Sequence, residues 1–294
     1  PVLKILFALF VELCQSCFCV CFILIRLVVE QLSVKIVVSN HLENEFELSN
    51  DEMHLYSRQI LLDGWDIEAQ EKLKLANVLI IGAGGIGCTS AELLARAGVG
   101  KITIVDADTI EMSNLQRQIA FTLNDLGRYK AEILAKHLQT INPHIQVNYQ
   151  NIRFDPTNAD DLVQHQDVVL DGCDNFSTRY LVNSICRKYQ IPLISASAIG
   201  FEGQLFMVDA ETACYECLFP KENHANEGLR CAESGVLATT PVIMASLQAH
   251  HTLLFLGRGL TPLKQKLLLW NGLNLSQRIL QFEKDANCPV CQAT

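Results

Sequence analysis

Apolar residues follow two rhythms along this chain. From 54 to 76, Leu55, Ile60, Leu61, Trp65, Ile67 and Leu73 recur at spacings that fit helical segments interrupted near Gly64. Short apolar runs then alternate with helical stretches. The runs predict strands at 77–81, 101–105, 145–150, 167–171 and 192–196, and the stretches between them predict helices over about 86–97, 127–140, 158–165 and 176–189. Repeated strand–helix–strand order implies a mostly parallel sheet with helices on both faces. After Gly200 the rhythm changes. FEGQLFMVDA alternates like a strand, a cysteine-bearing loop follows, 239–257 reads as a helix, and 264–270 with 276–283 form an antiparallel pair around Asn271 and Gly272. The expected class is α/β with an antiparallel C-terminal extension.

The first fifty residues do not share this pattern. PVLKILFALFVELCQSCFCVCFILIRLVV is apolar almost throughout, but Lys4, Glu12 and Arg26 interrupt it, and the uncharged run from Leu13 to Ile25 is short for a membrane span. No small-residue cleavage site of a secretory signal is evident. The chain begins with Pro1, and its first methionine is Met53. Residues 1–50 are therefore read as an apolar segment foreign to the folded domain: translated upstream sequence, with an anchor or a processed segment as alternatives. Residues 51–294 are read as one domain carrying a metal-bearing appendage, with no membrane contact of its own.

Charge and cysteine usage narrow the chemistry. A net charge of -9 argues against broad phosphate-backbone binding, so no nucleic-acid partner is expected. The twelve cysteines are clustered, with Cys14, Cys17, Cys19 and Cys21 near the start, and two CxxC pairs at Cys214/Cys217 and Cys288/Cys291. Four thiolates in such pairs suit a closed, tetrahedral, structural Zn2+ site rather than a disulfide framework, and imply a reducing, cytoplasmic setting. Cys88, Cys173 and Cys186 fall in predicted core or strand-end segments, where cysteine acts as a small hydrophobe.

VLIIGAGGIG (78–87) places Gly82, Gly84 and Gly87 in a GxGxxG spacing, after an apolar strand and before a helix. Small residues there let backbone N–H groups approach phosphate at the positive end of the helix, which makes the fold Rossmann-like. Asp106 ends the next strand, where a carboxylate can accept from a ribose. The glycines alone do not choose between NAD, FAD and ATP. The following residues do: DADTIEMSNLQRQ brings Asp108, Ser113, Asn114, Gln116 and Arg117, and LGRYKAE adds Lys130. Two cations near a phosphate loop suit a triphosphate under attack, since they offset charge on the transferring oxygens, whereas hydride transfer has no such need. Asp174 and Asn175 follow a predicted strand, where a carboxylate can hold Mg2+ against phosphates.

At this point the chain resembles the ubiquitin-activating-enzyme-like adenylyltransferases, in particular the bacterial branch that activates sulfur carriers for molybdopterin or thiamin synthesis. YSRQILL (56–62), VLIIGAGGIGC (78–88), LARAGVGKITIVDADTIEMSNLQRQ (94–118), GRYKAE (127–132), INPHI (141–145), VVLDGCDN (168–175), EGQL (202–205), CYEC (214–217) and CPVC (288–291) run in family order. The resemblance implies ATP-dependent adenylylation of the C-terminal Gly-Gly carboxylate of a small ubiquitin-fold carrier. It implies that Gly82, Gly84, Gly85 and Gly87 cradle phosphate, that Asp106 binds ribose, and that Ser113, Asn114, Leu115, Gln116, Arg117 and Lys130 line the nucleotide. Asp174, with Asn175 beside it, would hold Mg2+ and orient the reacting groups. Arg58 would reach ATP from the second subunit of a homodimer.

PLISASAIGFEGQL and CLFP resemble the thiamin member of the branch, and RCAESGVL the molybdopterin one. Cys231, in that last stretch, is either a thiol used in sulfur transfer or a passive loop residue. Some relatives continue into a rhodanese-like domain beyond the second CxxC; here sulfur is expected from a separate donor. Two other classes compete. A relative that dehydrates a tRNA base with ATP shares the glycine loop, but the paired CxxC motifs and NLQRQ favour carrier activation. A non-catalytic regulatory subunit would be expected to lose Arg58, Arg117 or Lys130, and all three are present.

Overall fold

The computed structural model describes residues 47–221 and 235–292. The chain divides between Ser49 and Asn50, and the fold described is that of the second unit. The apolar segment 1–46 and the loop bearing Cys231 lie outside the described residues. Three helices lead in: α1 (Asn50–Leu55), α2 (Ser57–Ile60) and α3 (Ile67–Leu75). Then come β1 (Asn77–Ile81), α4 (Gly85–Ala97), β2 (Lys101–Val105), α5 (Lys130–Ile141), β3 (Gln146–Gln150), α6 (Ala159–Val163), β4 (Val168–Asp171) and α7 (Phe176–Tyr189). β5 (Leu193–Ile199), β6 (Glu202–Val208), α8 (Tyr215–Leu218), α9 (Thr239–Arg258), β7 (Lys266–Asn271), β8 (Ser276–Gln281) and α10 (Pro289–Gln292) complete the unit.

The strands form one eight-stranded sheet in the order β3-β2-β1-β4-β5-β6-β7-β8. β1 to β5 are parallel neighbours, while β5 to β8 pair antiparallel. The expected parallel sheet with an antiparallel extension is thus present. Because side chains alternate across a strand, β1 serves two cores. Val78 and Ile80 pack with residues of α3, α4, α5 and α9 on one face, and Leu79 and Ile81 with α6, α7 and both cysteine pairs on the other.

Several element boundaries differ from the sequence expectation, those of β7 (Lys266–Asn271) and β8 (Ser276–Gln281) among them. The helix expected from 127 starts at Lys130, because Gly127 takes a left-handed turn at φ 79° and Arg128 accepts from the Ile110 amide. β5 runs past 196 to Ile199, since β6 pairs with it along its whole length through a turn at Gly200 and Phe201. The helix expected over 158–165 contracts to Ala159–Val163.

Strand order reverses between β1 and β4, so a crevice opens at their carboxyl ends. A buried polar clamp fixes that edge. The Gln248 amide, fully buried on α9, donates to Asp171 O (3.0 Å) and Ile194 O (2.8 Å) and accepts from Ser90 Oγ (2.8 Å) on α4. Each buried group left without its partner would cost about 1–3 kcal/mol, so the clamp holds the ends of β4 and β5 in one arrangement.

Candidate nucleotide and metal sites

The loop after β1 folds back on the helix that follows it. Gly82 has φ 91°, and a Cβ there would stand 3.1 Å from Gly172 O in the loop after β4. Gly87 is tighter still, since its Cβ would lie 1.8 Å from Gly82 O. The two strand-end loops therefore meet at the switch point of the sheet. Gly85 is crowded by Pro241 and by Arg117 O, whereas at Gly84 the nearest atom to an added Cβ is Gln118 Nε2 at 3.9 Å. Gly84 caps α4 with no side-chain bond. A helix leaves its first amides without intrahelical partners, so α4 presents N–H donors and its positive end towards this space.

Asp106 braces the loop. Its Oδ2 accepts from Ala83 N (2.6 Å) and its Oδ1 from Asp108 N (2.7 Å). Burial raises its pKa above the ordinary aspartate value, opposed by those two donors. Each carboxylate oxygen has a second lone pair, so ribose hydroxyls can still donate to it. Lys130, buried at the start of α5, donates to the exposed Asp108 carboxylate at 2.9 Å. An ammonium held by one exposed carboxylate can exchange it for a phosphate oxygen at small cost.

The turn at Met112–Asn114 leads into a segment that meets the glycine loop, with Arg117 O against Gly85 and Gln118 Nε2 near Gly84. Asn114 is buried, and its Oδ1 accepts from Glu111 N (3.1 Å), so its Nδ2 is the atom left to donate to phosphate. Arg117 donates to Ser113 O at 3.0 Å. Ser113 and Gln116 are exposed and Leu115 half-buried. A candidate that the sequence expectation did not include is Gln118, one turn beyond Asn114. It is buried, its Oε1 has no partner among the described residues, and its Nε2 faces Gly84. NLQRQ contains two glutamines, and a helical spacing of four from Asn114 distinguishes Gln118 from Gln116.

Beyond β4, Asp171 is buried and occupied, accepting from Ser195 Oγ (2.6 Å) and Cys173 N (2.9 Å). Asp174 is exposed at the mouth of the crevice, which leaves its carboxylate open to a cation. Asn175 caps α7, accepting from Thr178 N (2.9 Å) and Ser177 Oγ (2.8 Å). Its side chain therefore does a local job that the sequence reading had not separated from nucleotide contact.

Arg58 sits at the other end of α4. Within its motif Tyr56 accepts from Asn142 Nδ2 (2.7 Å), and Gln59 donates to Ala97 O (3.2 Å) and Gln70 Oε1 (2.6 Å). Those anchors leave Arg58 exposed beside the C-terminus of α4. The thirteen residues of α4 separate this point from Gly85 by roughly 18 Å at 1.5 Å per residue, beyond the reach of an arginine side chain.

The two CxxC pairs converge. Cys214 and Cys288 are buried, Cys217 and Cys291 half-buried, and all four Sγ atoms lie within 4.8 Å of one another. The contacts are 3.5 Å for Cys214–Cys288, 3.6 Å for Cys217–Cys291 and 3.9 Å for Cys214–Cys217. These are far too long for disulfides, and they bracket the ~3.8 Å edge of a thiolate tetrahedron built with ~2.3 Å zinc–sulfur bonds. Burial pushes Cys214 and Cys288 up to about 11.

The ThiF family profile matches residues 56–290, which takes in the glycine loop, the Asp174 loop and the cysteine cluster. The chain belongs to the ThiF family. Among ThiF-type relatives, the sulfur carrier protein adenylyltransferase of Thermus thermophilus is 38% identical over 250 residues, covering 83% of this chain and 92% of that one. The molybdopterin-synthase adenylyltransferase of Salmonella typhimurium is 38% identical over 247 residues, covering 83% and 98%. The chain spans 63% of the length of a longer Aedes aegypti relative named adenylyltransferase and sulfurtransferase MOCS3. Among solved structures, Escherichia coli MccB with ATP superposes with a TM-score of 0.72 at 27% identity, covering 84% of this chain and 76% of that one. Among the described residues, no helix is long and apolar enough to cross a membrane.

Proposed function

We propose that the protein adenylylates the C-terminal Gly-Gly carboxylate of a small ubiquitin-fold sulfur carrier, for molybdopterin or thiamin synthesis. What supports this reading is a glycine-built helix N-terminus where the loops after β1 and β4 meet, with Arg117 and Lys130 in the segment between β2 and α5 and an exposed Asp174 in the loop after β4. The names of the family relatives support it. ATP is the substrate. Its phosphates lie over Gly82, Gly84, Gly85 and Gly87, and its ribose hydroxyls donate to Asp106. Asn114, Arg117, Gln118 and Lys130 neutralise or donate to phosphate oxygens.

The nucleophile is already a carboxylate, so no general base is needed. One carboxylate oxygen bonds to the α-phosphorus, the bond to the bridging oxygen breaks, and its electron pair leaves with pyrophosphate. The residues contribute position and charge neutralisation, which suffice for phosphoryl-type transfer. Asp174 holds Mg2+ in this reading, and the cation, when bound, offsets charge on the leaving oxygens. Arg58 serves the site of a second copy in a homodimer, because its own glycine loop is out of its reach. Cys214, Cys217, Cys288 and Cys291 hold a structural Zn2+, with no open position for chemistry. Reduced thiols fit a cytoplasmic setting, and a separate protein supplies the sulfur.

The test is intact mass spectrometry of each candidate carrier after incubation with protein, MgATP and pyrophosphatase. A carrier shifted by one AMP supports the reading, and an unmodified set of Gly-Gly carriers refutes it.

A further inference from the structure

The residue before Asp174 is held at both of its backbone groups by one buried ion pair. Asp171 ends β4, is 1% exposed, and accepts from Cys173 N at 2.9 Å through its Oδ1. Its Oδ2 accepts from Ser195 Oγ at 2.6 Å and lies 3.7 Å from Nε of Arg179, whose side chain is 12% exposed in the first turn of α7. Nη2 of the same guanidinium donates to Cys173 O at 2.5 Å and to Ala196 O on β5 at 3.3 Å. A carbonyl oxygen and the following amide share one rigid plane, so the grip on Cys173 O fixes the peptide that begins Asp174. On the other side Asn175 caps α7, and its carbonyl accepts from Arg179 N at 3.4 Å. The Asp174 backbone is thus held from both sides while the residue itself is exposed.

We propose that Arg179 is a positioning residue for the metal-binding carboxylate of Asp174, acting through the Cys173–Asp174 peptide. A buried ion pair is a weak source of stability, because desolvating both charges offsets their attraction, so what this pair contributes is geometry. The fork of a guanidinium supplies it. One side chain meets Asp171, Cys173 O and Ala196 O together and ties the loop to the ends of β4 and β5. A lysine there would keep the charge and lose the fork. Gly172 has anchors of its own: its N donates to Ile81 O at 3.0 Å, and a Cβ on it would stand 3.1 Å from Gly87 N. The contact between this loop and the glycine loop is therefore fixed from β1 and α4, and loss of the fork releases the Asp174 end first. Groups that orient a ligating side chain typically contribute about 10- to 100-fold to metal affinity.

The inference rests on the reading of Asp174 as the Mg2+ ligand of the nucleotide site, but its test needs no carrier. Mn2+ is the probe, titrated by electron paramagnetic resonance into the full-length protein saturated with a non-hydrolysable ATP analogue. Arg179→Lys is expected to weaken Mn2+ binding about 10-fold or more, and to leave the Kd of the analogue, measured without divalent metal, within about threefold. In an Asp174→Ala background the same substitution should add less than about twofold, since a residue that acts through Asp174 then has nothing left to position. Should Arg179→Lys fail to fold, Asp171→Asn/Arg179→Met removes both charges and strands neither, and it should show the same loss of Mn2+. Wild-type Mn2+ affinity in a folded variant overturns the proposal, and so does the full loss repeated on top of Asp174→Ala. The predicted Mn2+ pattern in a protein that modifies no carrier would sink the proposed function and leave this inference standing.

Discussion

Alanine at Gly84 separates what the ligand needs from what the fold needs. An added Cβ at Gly84 meets nothing nearer than 3.9 Å, and the residue already has ordinary negative φ (−78°). Exchanging Gly for Ala at a helix N-cap costs about 0.5–1 kcal/mol, and the stiffer unfolded chain returns about 0.4–1 kcal/mol. At about 2–4 °C per kcal/mol for a domain of this size, Tm should move by about 2 °C or less. The methyl nonetheless occupies the approach to the first amides of α4. Losing one charge-assisted bond to phosphate is worth about 1.5–3 kcal/mol, a rise in ATP Kd of about 10- to 100-fold. Gly87→Ala should behave oppositely, because its Cβ would stand 1.8 Å from Gly82 O, and a carbon–oxygen contact needs about 3.3 Å. Opening that corner costs about 3 kcal/mol, and the variant should lose stability before it loses any specific contact. Isothermal titration with a non-hydrolysable ATP analogue, beside a thermal melt, reads both quantities. Gly84→Ala that keeps its Tm and binds the analogue within twofold of wild type refutes the phosphate role of the loop.

Other substitutions test the remaining groups. Asp174→Ala and Lys130→Ala should each lower carrier-dependent pyrophosphate exchange about 100-fold or more, with circular dichroism unchanged, since removing one charge-stabilising group costs about 10²–10³ in turnover. Gln118→Ala should weaken ATP about 10-fold, while Gln116→Ala, exposed in the same motif, should leave Kd unchanged by titration. His251 on α9 is held at about 4 by burial and then by His250, against 6.5 in an unfolded chain. The unfolded state thus binds more protons between those values, so stability falls as pH drops from 6.5 towards 4. Urea midpoints at pH 7 and 5 should converge in His251→Gln if the sign is right.

The β1–α4–β2 unit was legible because its signals are local: a buried apolar run, glycines at a strand-to-helix corner, and an aspartate ending the next strand. The cysteine site was legible because spacing within each pair is local, even though the pairs are far apart. Less legible were features that depend on a partner distant in sequence. β5 extends to Ile199 only because β6 lies against it, and its Ser and Ala residues give little apolar contrast. The clamp joining Ser90, Asp171, Ile194 and Gln248 has members more than 150 residues apart, and no period connects them. Gln118 was missed for a third reason: choosing between two glutamines requires knowing that 112–118 is helical in its turns, whereas the composition there reads as loop. The outward placement of Arg58 likewise followed from the anchors Tyr56 and Gln59, not from the motif itself.

The central claim is that ATP is split here by a carrier's C-terminal carboxylate. ATP–pyrophosphate exchange, measured with each Gly-Gly carrier and with the same carrier lacking its last glycine, tests it most directly. The account predicts exchange that requires an intact carrier tail and disappears in Asp174→Ala. Exchange at the same rate without any carrier, or none with every intact carrier, would contradict it.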